Sequence, residues 1–128
     1  MIDRIENRPF AGQFTQADRE RLWDLLKKDD AGLVVAIAID EETGEPLMQA
    51  FMDREAFLHT LETGLATYHS RSRNQLWVKG ETSGHYQHVV SARVDCDADS
   101  LVFRVRQEGA ACHTGNHSCY FRDLGELS

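Results

Sequence analysis

Leu33-Val34-Val35-Ala36-Ile37-Ala38-Ile39 is an unbroken apolar run rich in β-branched side chains. A short run of this kind predicts a buried strand. Downstream, Glu42-Thr43-Gly44-Glu45 supplies turn residues and leads into residues 47–52, the second arm of a hairpin. Upstream, Thr15-Gln16-Ala17-Asp18 has the form of a capping box with Asp in the Glu position. Leu22, Leu25 and Leu26 recur behind it at helical spacing, which predicts a helix through about Lys28, with Trp23 and the leucines packing inward. Asp53 is a good N-cap for a second helix from Arg54 to about Thr63, stopped by Gly64. Residues 66–69, 76–79, 85–97 and 101–107 read as strands between loops. The succession of helix, hairpin, helix and further strands predicts an α+β fold: a mainly antiparallel sheet or incomplete barrel with two short helices. It does not give the strand order.

The whole chain, residues 1–128, is read as one domain, and 41% apolar with 27% charged residues is ordinary for a globular protein. The formal net charge is −7, from 21 acidic against 14 basic residues, which argues against nucleic acid as a partner. A small anionic ligand needs only a local basic cluster. Asp29-Asp30 and Glu41-Glu42 are read as solvated surface. Met1-Ile2-Asp3-Arg4-Ile5-Glu6 places charges where a signal peptide needs an apolar run. No apolar stretch approaches the ~20 residues that span a bilayer. A cytoplasmic protein with no membrane partner is expected.

The odd count of three cysteines, Cys96, Cys112 and Cys119, argues against a disulfide framework in such a protein. Ala111-Cys112-His113-Thr114-Gly115-Asn116-His117-Ser118-Cys119 contains a Gly-Asn pair that lets the backbone turn sharply, so Cys112 and Cys119 can converge on one ion. Cys96 can supply a third thiolate, leaving tetrahedral zinc with an open position for water. Alternatively His113 or His117 completes a closed, structural site, and spacing does not choose. Buried structural thiols are the plainer reading.

Arg93-Val94-Asp95-Cys96-Asp97-Ala98-Asp99 brackets the first thiol with carboxylates. If the strand continues, Val90, Ala92, Val94 and Cys96 share one face while Asp95 and Asp97, with Asp99, project from the other. Three such oxygen donors suit Mg²⁺. The plainer reading of residues 97–100 is a polar turn. Tyr68-His69-Ser70-Arg71-Ser72-Arg73-Asn74 clusters Arg and Ser groups that can grip a phosphate, unless it is simply a solvated loop. Lys79-Gly80-Glu81-Thr82-Ser83-Gly84-His85 adds flexible glycines and hydrogen-bonding side chains. His85 and His88 should face opposite sides of a strand, and His59 belongs to the second helix.

Gly64 with residues 68–73, residues 76–85, Asp95-Cys96-Asp97-Ala98-Asp99, Ala111-Cys112-His113-Thr114-Gly115 and Ser118-Cys119 together resemble the phosphoribosyl-AMP cyclohydrolase family, over about residues 33–122. The resemblance implies a single-domain enzyme that opens the N1–C6 bond of 1-(5-phosphoribosyl)-AMP in histidine biosynthesis. It implies zinc (Zn2+) on Cys96, Cys112 and Cys119, and magnesium (Mg2+) on Asp95, Asp97 and Asp99. It also implies a homodimer whose subunits share each site, Cys96 meeting Cys112 and Cys119 of the other chain. On that basis His113 is the candidate for moving protons, and Ser70, Arg71, Ser72, Arg73, Thr82, Ser83 and His85 are the candidates for binding the purine nucleotide. Val35, Ile39, Asp53, Asn116 and His117 depart from the family's common pattern. The competing readings are a non-catalytic zinc-binding or zinc-storage relative, and a zinc aminohydrolase acting on another purine nucleotide.

Overall fold

A computed structural model describes residues 9–127. Six strands form one sheet: β1 (Val34–Asp40), β2 (Pro46–Met52), β3 (Thr67–Ser70), β4 (Gln75–Val78), β5 (Gln87–Val94) and β6 (Ser100–Gln107). Their order is β4-β3-β2-β1-β6-β5. The helices are α1 (Gln16–Leu25) and α2 (Arg54–Thr63), with single 3-10 turns at Phe10–Gly12 and Leu124–Leu127. The α+β expectation holds, but the sheet is mixed. Neighbours pair antiparallel except β1 and β6, which run parallel from Val35 opposite Ser100 to Asp40 opposite Val105. The sheet also curls. Leu65 bridges to His88, Ala66 N–H donates to Gln87 O at 3.0 Å, and Val89 N–H donates to Gly64 O at 2.8 Å. The approach to β3 is thereby tied to β5, giving a half-barrel.

β1 lies between β2 and β6. Its side chains alternate between fully buried (Val34, Ala36, Ala38, Asp40) and half-buried (Val35, Ile37, Ile39). Trp23 meets Phe57 with ring centroids 5.4 Å apart, joining α1 to α2 over a core that includes Met52, Leu61, Phe103 and Val105. The buried Tyr68 hydroxyl donates to Gln87 Oε1 at 2.6 Å, and Gln87 Nε2 donates to Gln107 Oε1 at 2.8 Å. These interior polar groups are therefore partnered.

Both predicted helix starts are observed. Thr15 Oγ1 accepts from Asp18 N–H while Asp18 Oδ2 accepts from Thr15 N–H, and Asp53 Oδ1 accepts from Ala56 N–H. Gly64 ends α2 at φ +77°. α1 stops at Leu25 rather than about Lys28, because Leu26 turns out to ψ 145° and Lys27 N–H bonds to Ala98 O at 2.7 Å. Trp23 and Leu26 are buried, but Leu25 stays 65% exposed, so that leucine does not pack inward as expected.

The larger correction concerns β5. The strand ends at Val94, and a register shift between Val89 and Ser91 breaks its alternation. Ala92 and Val94 are exposed but line one apolar groove with Phe14, Leu22 and Leu25, so the expected apolar face forms only in part and Cys96 lies beyond it in the turn. Residues 95–99 are a turn: Ala98 N–H bonds to Asp95 O at 3.1 Å, and Ala98 takes φ +61°. Asp95 Oδ1 accepts Asp99 N–H at 3.0 Å and Ser100 N–H at 3.2 Å, local bonds that outcompete the extended ladder.

Candidate active site

The chain leaves β6 at Gln107 and enters a loop that bends back on itself. Cys112 O accepts from Gly115 N–H at 3.0 Å, and Gly115 takes φ +92°, the turn its missing side chain allows. Ala111 and Cys112 then donate to His117 O and Asn116 O at 3.0 and 3.2 Å. His117, Ser118 and Cys119 in turn dock on the turn end of the β1–β2 hairpin. His117 Nε2 lies 2.7 Å from Asp40 Oδ2, Ser118 Oγ donates to Pro46 O at 2.7 Å, and Cys119 N–H donates to Leu47 O at 2.7 Å.

This closure brings the Cys112 and Cys119 thiols close enough for each to bias the other's ionisation. The Thr114 hydroxyl donates to Cys112 Sγ at 3.0 Å and, with help from Thr114's backbone, Cys119 and Lys79, holds the Cys112 thiol below its ordinary range. Cys119 moves the other way: desolvation and its hydrogen bond with Cys112 push it up. Lys79 donates to Ala111 O and sits 5.1 Å from the Trp77 ring centroid. Burial lowers its affinity for a proton, and the nearby thiolates oppose that effect.

The thiols open onto a two-lobed cleft. One lobe, about 300 Å³, is lined by Thr82, Ser83, His85, Cys112 and His113 together with Trp77 and Lys79. The other, about 490 Å³, is lined by Met48, Gln49, Cys119 and Tyr120, and shares Trp77, Lys79 and His113 with the first. His85 is seated on two glycines. A Cβ on Gly80 would lie 2.5 Å from the His85 carbonyl carbon, and one on Gly109 would lie 2.6 Å from the His85 ring. His85 Nδ1 is 3.2 Å from Ala110 O.

Six of the residues singled out from sequence therefore meet in one place: Thr82, Ser83, His85, Cys112, His113 and Cys119. Half-buried Ser70 ends β3, and Arg71, Ser72 and Arg73 lie in the exposed β3–β4 turn, all outside the cleft lining. There Ser70 Oγ accepts from Arg73 N–H and Nε–H, each at 3.4 Å, and the Arg71 guanidinium lies 4.1 Å from the Phe51 ring centroid.

Cys96 and the three aspartates stand at the opposite end of β6. Seven rises of about 3.3 Å put that end roughly 23 Å from Gln107. Asp95, Asp97 and Asp99 each offer an oxygen, all within 4.8 Å of one another, and among the described residues they are the one such group of three or more donors. Burial works against ionising Asp95, but hydrogen bonds from Asp99 and Ser100 hold its pKa down. Bonding and repulsion from Asp95 and Asp97 push Asp99 up.

Sequence reasoning missed three contributors. In sequence Lys79 reads only as part of a loop, although a lone cation two residues after Trp77 and just before Gly80 in an acidic chain is a usable signal. Trp77 carried no signal of its own. Nothing local pairs Asp40 with His117, which lie 77 residues apart.

A half-barrel presenting two adjacent thiols, a lysine and a histidine in a cleft of this size defines a small α+β protein with a candidate thiolate metal centre. The family model for phosphoribosyl-AMP cyclohydrolase matches residues 48–121. A Rhodococcus erythropolis protein named phosphoribosyl-AMP cyclohydrolase is 59% identical over 99 residues, covering 77% of this chain and 86% of the relative. One of the same name from Methanococcoides burtonii is 55% identical over 101 residues, covering 79% and 84%. The Deinococcus radiodurans "Histidine biosynthesis bifunctional protein HisIE" is 55% identical over 101 residues, which are 79% of this chain but 46% of that protein. The chain belongs to the phosphoribosyl-AMP cyclohydrolase family and is a hydrolase.

Proposed function

We propose that this chain adds water at C6 of the adenine ring of 1-(5-phosphoribosyl)-AMP and opens the N1–C6 bond, giving the formimino-carboxamide nucleotide of histidine biosynthesis, and that it does so in the cytoplasm. The observation that carries this reading is the cleft where Cys112 and Cys119 converge beside His113, Lys79 and the hydroxyls of Thr82 and Ser83. The names of the relatives support the same substrate.

The donor chemistry fits zinc. Two soft sulfur donors stand at one cleft, one of them already disposed to ionise through its bond from Thr114. Cys96 of the same copy lies at the far end of β6, which favours a third thiolate supplied by a second copy. A homodimer that sets Cys96 of one copy against Cys112 and Cys119 of the other completes three protein ligands. When bound, zinc supplies the Lewis acidity that makes water nucleophilic near neutral pH. The oxygen donors of Asp95, Asp97 and Asp99 suit Mg²⁺, which would also relieve their mutual repulsion.

The remaining steps belong to this chain's side chains. His113, exposed between the lobes, takes a proton as water adds and returns one to N1 as the ring opens. Thr82, Ser83 and His85 orient the nucleotide by hydrogen bonds, and Lys79 keeps positive charge beside the thiolates. Ser70, Arg71, Ser72 and Arg73 bind a phosphate at the cleft's outer approach.

The test is the absorbance change of ring opening in the presence of zinc and Mg²⁺. Turnover that disappears in Cys112→Ser and Cys119→Ser bears the reading out. A folded, zinc-loaded dimer without turnover overturns it. Site sharing is tested by mixing Cys96→Ser and Cys112→Ser chains, each inactive alone. Random re-pairing into twofold dimers restores about a quarter of wild-type activity, because half the dimers regain one of two sites. No recovery rejects the shared site.

A further inference from the structure

We propose that Asp40 and His117 are a positioning pair, which sets the geometry of the Cys112–Cys119 loop without touching substrate. The idea rests on the reading of that loop as a metal-binding thiol pair.

Asp40 is the last residue of β1 and is 8% exposed. Its two carboxylate oxygens have separate tasks. Oδ1 accepts Glu42 N–H at 2.8 Å and Thr43 N–H at 3.4 Å, which fixes the β1–β2 turn. Oδ2 reaches the His117 ring at 2.7 Å. An ionised carboxylate is acceptor-only, so the imidazole donates through Nε2–H. The other carboxylate near His117, Glu45, is 3.8 Å away and solvent-exposed, too far for a hydrogen bond.

His117 sits at the pivot of the loop. Its own carbonyl accepts Ala111 N–H at 3.0 Å, beside Cys112, while its chain neighbours lead through Ser118 to Cys119. One residue thus joins the two arms of the loop to the end of β1. Its ring bond to Asp40 is the side-chain anchor of that joint, and the Ser118 and Cys119 bonds to Pro46 O and Leu47 O continue the seam. Loss of the anchor frees His117 to drift, and with it the spacing of the two thiols. The His117 ring is itself exposed, and Asp40→Asn keeps the carboxamide oxygen that the Glu42 N–H needs, so fold stability should change little.

Two readouts test this. The first needs no zinc: phenylarsine oxide bridges two neighbouring thiols, forming two As–S bonds as its oxygen leaves as water. Reduced, metal-free wild type should capture it in a one-to-one complex. His117→Ala and Asp40→Asn should each weaken capture about tenfold, the lower end of what removing an outer partner does to a metal site. His117→Gln keeps an N–H near the Nε2 position and should recover most of the loss. Glu45→Gln should behave as wild type. The second readout is the thiolate-to-metal charge-transfer absorption of cobalt-loaded protein, which should weaken and shift in the same two variants with the melting temperature held. Wild-type arsenical capture and cobalt spectra in both His117→Ala and Asp40→Asn overturn the pair's role, as does failure of wild type to capture the arsenical. If wild type captures the arsenical but no zinc, the zinc reading fails while this series still decides the role of Asp40 and His117.

Discussion

The two ends of β6 lead to candidate metal donors on opposite kinds of scaffold. At the Gln107 end, the thiols are placed by long-range bonds: Cys119 to Leu47, Ser118 to Pro46 and His117 to Asp40. At the Ser100 end, Asp95, Asp97 and Asp99 are placed by bonds within a five-residue turn. The first end is assembled by tertiary structure and holds its donors in a formed cleft. The second is built by local chemistry and presents its donors to solvent. A tetrahedral thiolate centre needs its sulfurs brought together by the fold, whereas Mg²⁺ keeps several waters and takes only one or two carboxylates, so its donors can stand on an exposed turn.

The strongest way to break the comparison is Cys119→Ser. It should cut turnover and zinc content more than ~100-fold, beyond what loss of an outer-shell partner does. Next is Gly80→Ala, which forces a Cβ to 2.5 Å from the His85 backbone at φ +94°. Strain at such a site costs about 1–3 kcal/mol, read as a lowered melting temperature, with a larger loss of nucleotide affinity as His85 is displaced. At the other end, Asp97→Asn should raise the Mg²⁺ concentration needed for turnover roughly tenfold while zinc content stays constant. Equal loss of zinc would show the two ends to be one site.

Smaller still is Thr15→Ala, which removes the α1 cap and should cost about 1 kcal/mol in denaturant unfolding. Because Lys27 N–H holds Ala98 O, amide exchange should rise near the carboxylate turn before the thiol loop. The smallest effect is in pH. Backbone and side-chain bonds with Thr15 hold Asp18 below its ordinary carboxylate value. Its contribution is complete above that ordinary value and fades as pH falls through the lowered one, so Asp18→Asn should flatten the acid limb of the stability profile. An unchanged acid limb would refute the assignment.

What the sequence discloses follows the range of the interaction. The α2 bounds, the Asp53 and Gly64 caps, the β1–β2 hairpin and the Gly115 turn all depend on neighbours in sequence, and all are found as read. The continuation of β5 through Asp97 failed because Asp95's carboxylate captured two backbone N–H groups, a competition that alternation rules do not weigh. Leu25 failed because helical spacing says which residues share a face, not where the partner ends. The thiol pair was legible as a spacing with a Gly-Asn bend inside it, while the Asp40 anchor and the separation of Cys96 required the parallel pairing of β1 with β6, which leaves no local trace.

That parallel pairing also dictates the order of events as the chain folds. Val35 meets Ser100, so some 65 residues must already be gathered before the contact forms. The entropy of closing so long a loop is spent before any ladder bond rewards it, making this a slow, late step. The hairpin and α2 can form early from local signals. The thiol loop then finds its seat, and the carboxylate turn its place against Lys27, only once β6 is home. The thiol loop therefore matures in that closing event, whereas the locally bonded carboxylate turn gains only its contact with Lys27 there, and a metal bound by the finished loop would act on the last stage of assembly and not on the first.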